Sequence, residues 1–400
     1  MSENNEIKEP SNKNNKVPRL RFREFKNDWH KIAIKNIAVN ENHSFTGGPF
    51  GSNLKTNDYT SEGVRVIQLN NINDVFFNDT NKVFVSEKKA ESLKYCNAFP
   101  GDLIFAKMMP AGRVCVLPNL YKKYLLGSDA IRLKLNALRY DSFFIIENLN
   151  RSIIRNNINS RTAGSTRQRI GLSELKKTSF YCPHLVEQKK IGFFFQEIER
   201  KIKIIERKID ILKKYKEGLD IFAYNFVKKY GNYIRFCDLF ENKVIKNTNN
   251  IQQFTVGKHG IKKLEESNYD VSKHKVFRND DLIIGIGIDE MAISNVTKGS
   301  VSPVYDVFTM TDKNYLNCLK TTLKRQLWHN RNFITKKSTR REFEVDKKRL
   351  SKTILLVVEN NIFSNIYESI FKAERTIEIL NKKSNNLRKA KLYFLNKMFI

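Results

Sequence analysis

Two stretches of the chain repeat apolar residues at alternating spacings of four and three. One begins at Ile191 and the other at Ile366, and Glu, Arg and Lys fill the positions between. Because this spacing keeps one apolar stripe on a single side of a helix, it predicts two long helices that form a coiled coil or pack along one face. The seam residues are Ile191, Phe195, Ile198, Ile202, Ile205, Ile209, Leu212, Leu219, Ile366, Ile370, Ala373, Ile377, Leu380, Leu387 and Phe394. Lys216 breaks the first seam, and Ser384 and Lys391 weaken the second.

The second stretch repeats the first at an offset of 175 residues, with nine identities in 29 aligned positions. The identities include Glu199 with Glu374 and Lys216 with Lys391. Agreement continues outside the helices, where three short segments of the first half each have a counterpart. The pairs are 175–178 with 350–353, 165–167 with 338–340, and 101–104 with 280–283. The chain is therefore predicted to be a tandem duplication in which each copy is a mixed segment followed by a long helix.

Short apolar runs bounded by Gly, Pro, Asn and Asp make the mixed segments strand-rich. Predicted strands are 64–69, 102–106, 114–117 and 282–286, and predicted helices are 87–95 and 141–155. The fold class is therefore expected to be α+β. The expected parts are a flexible tail (1–17), a first strand-rich domain (18–186), a first helix (187–229), a second domain (230–358) and a second helix (359–400).

Positive charge suggests the class of partner. The chain has 72 Lys and Arg against 42 Asp and Glu, a formal net charge of +30 spread along the sequence. Such an excess indicates a polyanionic partner, and nucleic acid is the first candidate. Asn, Lys and Ile are all abundant, however, and a biased base composition of the gene would also raise the number of lysines.

No apolar run approaches the roughly 18 residues of a membrane span. The polar start lacks a signal-peptide core, so we expect a cytoplasmic protein without a membrane partner.

The sequence signatures of catalysis are missing. The turn at 47–52 lacks the lysine of a phosphate-binding loop, and no Asn-Pro-Pro-aromatic or Asp-Pro-Pro-aromatic run is present. The Gly-x-Gly at 285–287 fits a tight strand end better than a dinucleotide site. The five cysteines and six histidines are scattered without metal-site spacing, so we expect reduced thiols and no metal. A dispersed nuclease carboxylate cluster is the remaining enzymatic alternative.

Side chains that hydrogen-bond base edges and phosphates are concentrated in loops that also carry Gly and Ser. Each of them is also what the solvated surface of a lysine-rich protein would show, so the hypothesis rests on their clustering. The DNA-binding candidates of the first copy are Ser52, Asn53, Lys55, Arg65, Gln68, Asn70, Asn71, Lys107, Arg113, Arg167, Gln168 and Arg169. Those of the second copy are Lys258, His259, Asn295, Lys298, Tyr305, Arg340 and Arg341.

Several motifs, taken in order, resemble the DNA-specificity subunit of Type I restriction-modification systems. They are Val17-Pro18-Arg19-Leu20-Arg21-Phe22 with Trp29, Gly48-Pro49-Phe50-Gly51-Ser52, Gly63-Val64-Arg65-Val66-Ile67, Gly101-Asp102-Leu103-Ile104, Pro183-His184-Leu185-Val186-Glu187-Gln188, and Gly299-Ser300-Val301-Ser302-Pro303. The resemblance spans nearly the whole chain.

The resemblance implies two target-recognition domains, each recognising one half of a split sequence in double-stranded DNA. It also implies that the two helices pair as an antiparallel coiled coil, which separates the domains and docks two methyltransferase subunits. Helices of roughly 30 to 40 residues span about 45 to 60 Å at about 1.5 Å per residue, which is compatible with half-sites about 34 Å apart. Catalysis would belong to partners: methyltransferase subunits with S-adenosylmethionine, and motor-nuclease subunits with ATP and Mg. This chain would then bind no cofactor and no metal and would not be an enzyme.

One departure and three alternatives stay open at this stage. The Pro-x-x-x-Glu-Gln start of the first helix is replaced by 358–363 in the second copy, so the second helix is expected to start differently or to pack less tightly. The alternatives are a related recognition module of another defence or methylation-only system, a self-contained DNA-modifying enzyme, and a coiled-coil scaffold without a nucleic-acid role.

Overall fold

A computed structural model of the 400-residue chain shows two compact units. It describes residues 17–164, 168–242, 244–247, 251–257, 260–264, 272–285, 290–329, 334–336 and 343–400. Unit 1 comprises residues 1–205 together with 383–400, and unit 2 comprises residues 206–382. The expected tail, 1–17, lies outside the described residues except for Val17.

Unit 1 combines short strands with short helices that come before the first long helix. Its strands are β1 (His30–Ala33), β2 (Phe45–Gly47), β3 (Tyr59–Thr60), β4 (Val64–Ile67), β5 (Val75–Phe76), β6 (Phe84–Val85), β7 (Asn97–Ala98), β8 (Leu103–Ala106), β9 (Val114–Val116), β10 (Tyr124–Leu126), β11 (Ala130–Leu133) and β12 (Ser179–Cys182). Its helices are α1 (Glu87–Ser92), α2 (Ser142–Leu149), α3 (Ser152–Asn159), α4 (Leu172–Lys177) and the beginning of α5 (Leu185–Tyr230).

Unit 2 repeats this order of elements. Its strands are β13 (Asn232–Arg235), β14 (Phe240–Glu241), β15 (Ile245–Lys246), β16 (Gln253–Gly257), β17 (Gly260–Lys263), β18 (Lys275–Arg278), β19 (Leu282–Ile284), β20 (Met291–Ile293), β21 (Lys298–Val301), β22 (Asp306–Met310), β23 (Ile334–Lys336), β24 (Phe343–Val345) and β25 (Ile354–Val357). Its helices are α6 (Phe236–Leu239), α7 (Leu316–His329), α8 (Lys347–Ser351) and the first part of α9 (Asn360–Met398).

Matching strand orders confirm the predicted duplication and the α+β class. In unit 1, one sheet has the order β3-β6-β4-β10-β7 and another the order β2-β11-β8-β9-β5. In unit 2, β17-β16-β21-β18 corresponds to β6-β4-β10-β7, with the additional strand β15 beside β18 where unit 1 has β3 beside β6, and the other sheet is β14-β22-β19-β20. β10 is parallel to β4 and antiparallel to β7, and likewise β21 is parallel to β16 and antiparallel to β18. The ribbons β1-β12 and β13-β25 are both antiparallel.

A shared turn also relates the two copies. The Asp102 carboxylate accepts a hydrogen bond from the Phe99 N–H (2.9 Å), and the Asp281 carboxylate accepts one from the Arg278 N–H (2.7 Å). Between these positions the first copy has Gly101 at φ 91°, whereas the second has Asp280 at φ 70°. A non-glycine residue in this region is strained. The Asp280 carboxylate forms ion pairs with Lys313 (3.0 Å) and Lys320 (2.9 Å), and these contacts compensate for the backbone strain.

The predicted elements are longer than the observed ones. β4, β9 and β19 end one or two residues before the predicted limits, β8 begins one residue later than predicted, and Ile286 lies outside the described residues. α1 ends at Ser92, and the predicted helix 141–155 is divided into α2 and α3. The Asn150 side chain accepts a hydrogen bond from the Val114 N–H (3.1 Å) and donates one to the Val114 carbonyl (2.8 Å). These bonds to β9 hold the chain where the helix is interrupted.

The long helices run antiparallel in both units. In unit 1, Phe394 of α9 contacts Phe194 of α5 (5.0 Å between ring centroids), and Lys391 bonds to Glu199. In unit 2, Lys216 of α5 pairs with Glu374 of α9 (3.1 Å). Phe226 of α5 contacts Phe363 of α9 in the same unit. In each unit, residue numbers therefore rise along one helix as they fall along the other.

All the predicted seam residues are buried or half-buried, as a packed seam requires.

The two helices begin in different ways, as expected from the altered second motif. Near the start of α5, the buried Glu187 accepts two hydrogen bonds from Arg21 (both 2.7 Å) and one from Trp29 Nε1 (3.3 Å). The buried Gln188 donates to the Pro183 carbonyl (2.8 Å). At the start of α9, Asn360 instead accepts from the Asn317 N–H (3.0 Å) and donates to the Lys313 carbonyl (2.7 Å).

The residues expected to weaken the seam of α9 are accommodated within it. Ser384 and Ala373 are buried within it. Lys391 Nζ lies 2.8 Å from Glu147 Oε1 of α2 and 2.5 Å from Glu199 Oε1 of α5. Beyond it, Phe399 packs among Trp29, Phe144 and Phe195 of unit 1. The C-terminal part of α9 and the two residues after it therefore form part of the core of unit 1.

Glu147 gives unit 1 a predicted dependence on pH. Burial of this carboxyl, which is 2% exposed, raises its pKa from 4.5 to about 7, although Lys391 opposes the shift. Between these two pH values the native state binds more protons than the unfolded state. The contribution of Glu147 to the free energy of unfolding is therefore full below about pH 4.5 and falls as the pH rises to about 7.

We expect the variant Glu147→Gln to lose this part of the pH dependence, because glutamine does not titrate. Denaturant unfolding of the full chain between pH 5 and 8 measures it, with Trp29 fluorescence as the reporter in a Trp328→Phe background. Glu91→Gln, at an exposed position of α1, is the matched control and should keep the wild-type slope. Equal slopes for Glu147→Gln and the wild type would contradict the assignment.

Candidate DNA interface

Five loops of unit 1 meet at the ends of the strands. They are residues 47–55, 68–71, 107–110, 127–129 and the described parts of 162–170, and we refer to them together as the loop cluster. Gly48 N donates to the Ala130 carbonyl (2.9 Å), and Gly127 N donates to the Ile67 carbonyl (2.8 Å). Lys107 N donates to the Asp129 carbonyl (2.8 Å), while Ile170 N donates to the Lys107 carbonyl (2.9 Å). These main-chain hydrogen bonds join the predicted loops into one surface.

The loop cluster is held together tightly at one point. A Cβ atom on Gly48 would lie 1.7 Å from the Gly127 carbonyl oxygen, so only glycine allows the two backbones to approach this closely. A groove of about 150 Å³ lies beside this contact, lined by residues that include Pro49, Gln68 and Ser128. The glycine-rich turn is therefore packed against the neighbouring loop.

The exposed side chains of the loop cluster suit DNA. Ser52, Asn53, Lys55, Asn70 and Gln168 are exposed, and they offer donors, acceptors and one positive charge. The half-buried members of the predicted set are Gln68, Lys107 and Arg169. Arg169 Nε donates to Asp129 Oδ1 (2.9 Å), which orients the guanidinium at the same surface. Groups of this type can bond both phosphates and base edges.

The burial of Arg65 contradicts its prediction as a DNA-binding residue. It is 0% exposed, and its guanidinium donates to Asp79 (2.9 Å) and to backbone carbonyls, between the rings of Phe77 and Phe84. Burial opposes ionisation of Asp79, but hydrogen bonds from Arg65 and Tyr121 outweigh it and lower the pKa of the carboxyl. Arg65 thus stabilises the interior of unit 1 and is not presented to a ligand.

Three further candidates are held inside their units. Asn71 is fully buried and donates to the carbonyls of Asn78 (2.9 Å) and Thr80 (3.0 Å). Arg113 is half-buried, and its burial lowers the pKa of the guanidinium. Tyr305 of unit 2 is buried with its hydroxyl 2.9 Å from that of Thr255. Sequence alone could not show this, because adjacent positions of a short strand or loop face opposite sides.

The predicted surface of unit 2 is described only in part. Asn295 and Lys298 are exposed. Arg167 of the first copy and Lys258, His259, Arg340 and Arg341 of the second lie outside the described residues.

Unit 2 also contains a groove of about 850 Å³ between α5, α7 and α9. Its lining includes Lys216, Lys320 and Arg325, but acidic and aromatic side chains hold each of them. Lys216 donates to Asp220 (2.7 Å), Lys320 pairs with Asp280, and Arg325 lies over the Tyr224 ring (4.8 Å). Burial opposes charge on Lys216, but its hydrogen bonds outweigh this and raise its pKa. The positive charges of Lys216 and Lys320 are therefore neutralised within the unit.

The described residues include no group of three His, Cys, Asp or Glu side chains placed to hold a metal ion. None of the described helices is long and apolar enough to cross a membrane. All five cysteines are free thiols, and only Cys237 is exposed.

A comparison with protein families assigns the domain. Residues 26–214 match the profile of the family described as Type I restriction modification DNA specificity domain. Residues 26–214 therefore belong to the Type I DNA specificity domain family. The match covers most of unit 1 and about two thirds of α5. No curated protein matches the sequence.

Solved structures agree with the fold of this specificity domain and of the second copy. The chain is similar to the S subunit of a Type I restriction-modification system from M. genitalium, with 15% identity, a TM-score of 0.66, and 96% of this chain and 99% of that chain covered. It also matches the HsdS subunit from Thermoanaerobacter tengcongensis, with 11% identity, a TM-score of 0.42, and coverage of 93% and 96%. At 15% identity the likeness to the M. genitalium structure shows the fold alone, and the fold conclusion rests on that structure.

Two residues of the specificity domain were missed as functional candidates. Phe50, at the tip of the glycine-rich turn, is 83% exposed although phenylalanine normally predicts a core position. Asp129 orients Arg169 and carried no sequence signal. Outside this domain, the role of Lys391 was also missed, because the sequence suggested only that it weakens the second seam. Its identity with Lys216 at the repeat offset was the signal that a lysine is required at this position.

Different burial predicts different outcomes for two basic residues of the specificity domain. Arg65→Ala should lower the free energy of unfolding by about 3 kcal/mol, because it leaves Asp79 without its main partner. Lys55→Ala should change it by less than about 0.5 kcal/mol, because the side chain is exposed. Denaturant unfolding of both variants measures the difference. Similar stability of the two variants would contradict the structural role given to Arg65.

Proposed function

We propose that this chain is the non-catalytic DNA-specificity subunit of a Type I restriction-modification complex, in which each unit recognises one half of a bipartite DNA target. The observation that carries the proposal is the repetition of the same pair of sheets in two units, the first of which belongs to the specificity domain family. Two units built on the same pair of sheets suit a target made of two separate halves. The net charge of +30 supports a DNA partner.

The exposed faces of the long helices support a second part of the proposal, the docking of two methyltransferase subunits. Large apolar side chains are common on these faces, although the heptad seam already buries the residues that hold the helices together. The exposed apolar residues of α5 and α9 include Phe193, Ile211, Tyr215, Phe222, Phe371, Ile379 and Leu392. Exposed large apolar side chains on paired helices are suited to contact with another protein.

Under this proposal, catalysis belongs to the partners. The methyltransferase subunits would use S-adenosylmethionine, and motor-nuclease subunits would use ATP and Mg, while the present chain selects the DNA in the cytoplasm. A methylation-only assembly would need the same specificity subunit without the motor-nuclease subunits. Restriction of unmethylated phage DNA by cells that carry the full set of genes separates the two systems.

The central test is to co-express the chain with the methyltransferase subunit encoded beside it, in a host without DNA methylation. We expect the proteins to co-purify and the host genome to carry methylated bases in one split motif, two short specific halves around a fixed gap. A complex that leaves the genome unmethylated would argue against recognition. Methylation by this chain alone would establish an enzyme instead.

The helix surface is tested in the same cells. Ile211→Glu places a charge on an exposed apolar position of α5 and should abolish co-purification, because the carboxylate would be buried without a partner in the interface. Leu138→Glu is the matched control, since Leu138 is also exposed but lies in a loop of unit 1. Unchanged co-purification of Ile211→Glu, and of the charge reversals Arg200→Glu and Arg375→Glu, would contradict docking on the helices.

A further inference from the structure

Phe50 presents an almost fully exposed aromatic ring on the 47–55 loop of the loop cluster. Single exposed apolar residues are common, so its 83% exposure alone indicates nothing. What distinguishes Phe50 is its place between Pro49 and Gly51, on the turn that also presents Ser52, Asn53 and Lys55. An apolar ring therefore stands among the polar side chains proposed to contact DNA.

Main-chain hydrogen bonds and a close backbone contact hold the turn that carries Phe50. The Phe50 carbonyl accepts a hydrogen bond from the Asn53 N–H (2.9 Å), which closes the turn on one side of the ring. On the other side, Gly48 N donates to the Ala130 carbonyl (2.9 Å), and Gly48 packs directly on the Gly127 backbone. Because these contacts hold the backbone on both sides of Phe50, contact of its ring with DNA would cost little additional conformational entropy of the loop.

The chemistry of the ring differs from that of its neighbours. Lys55 can bond a phosphate of any sequence, whereas a phenyl ring gains little from the phosphate backbone. Two features of DNA offer the ring an apolar surface: the methyl group of thymine in the major groove, and the face of a base at a step that opens around a wedge. Both depend on base sequence.

We propose that Phe50 makes an apolar contact with a base in the half-site recognised by unit 1, and that this contact contributes to sequence discrimination. The inference rests on the proposed function, because it requires DNA at the loop cluster. Phe50 is then a specificity-determining residue, and Lys55 on the same turn supplies affinity that does not depend on sequence.

The test uses the purified complex with its methyltransferase subunits and two duplexes, one with the mapped target and one with the first half-site scrambled. Phe50→Ala should weaken binding to the target about 10- to 100-fold and leave binding to the scrambled duplex unchanged. The slope of log affinity against log salt concentration should also stay unchanged, because no phosphate contact is lost. Phe50→Trp, which keeps an aromatic ring, should retain most of the discrimination.

Lys55→Ala is the matched control from the same turn. It should weaken binding to both duplexes and reduce the salt slope by about one. Both side chains are exposed, so neither variant should shift the thermal unfolding temperature. Discrimination by Phe50→Ala equal to that of the wild type would overturn the inference alone, as would an equal loss of affinity for both duplexes. Failure of the unmodified complex to distinguish the duplexes would overturn the proposed function together with it.

Two modified target duplexes identify the base feature. If the ring contacts a thymine methyl group, replacement of that thymine by uracil weakens wild-type binding and has no further effect on Phe50→Ala. If the ring opens a base step, 2-aminopurine at that step becomes more fluorescent when the wild type binds but not when Phe50→Ala binds. Absence of both signals would overturn the inference.

Discussion

A lysine in a helix seam needs a carboxylate, and this requirement fixes how the two long helices pair. An apolar heptad seam alone tolerates either direction and shifts by whole heptads. In each repeat a glutamate precedes the lysine by 17 residues, as Glu199 precedes Lys216 and Glu374 precedes Lys391. One antiparallel register therefore places each lysine opposite the glutamate of the other repeat. The contacts of Lys391 with Glu199 and of Lys216 with Glu374 follow this register.

The two copies satisfy the same constraints with different residues. At the start of the first helix Glu187 and Gln188 are buried and hydrogen-bonded, whereas Asn360 bonds the start of the second helix to the beginning of α7. In the shared turn before β8 and β19, the first copy uses a glycine and the second accepts backbone strain at Asp280 together with two lysine contacts. Equivalent positions thus keep their geometry even where side chains have changed.

The periodic features of the fold were predictable from sequence, and the interface was predictable only in part. Heptad spacing and the repeat at offset 175 are local patterns, so the helices and the duplication could be recognised. Arg65 was misassigned because its burial also depends on a strand that is distant in sequence, since β10 pairs with β4 and places Tyr124 opposite Arg65. The function of Lys391 requires Glu147, 244 residues earlier, which no local pattern can indicate.

The contribution of residues 383–400 to unit 1 sets an order for folding during synthesis. All of unit 2 leaves the ribosome before the segment that carries Lys391, Phe394 and Phe399. Until that segment arrives, the apolar groups of unit 1 that it covers, among them Trp29 and Phe144, remain incompletely packed. The unit that starts first is therefore completed last, and a nascent chain stalled after residue 382 would expose an unfinished core to chaperones and proteases.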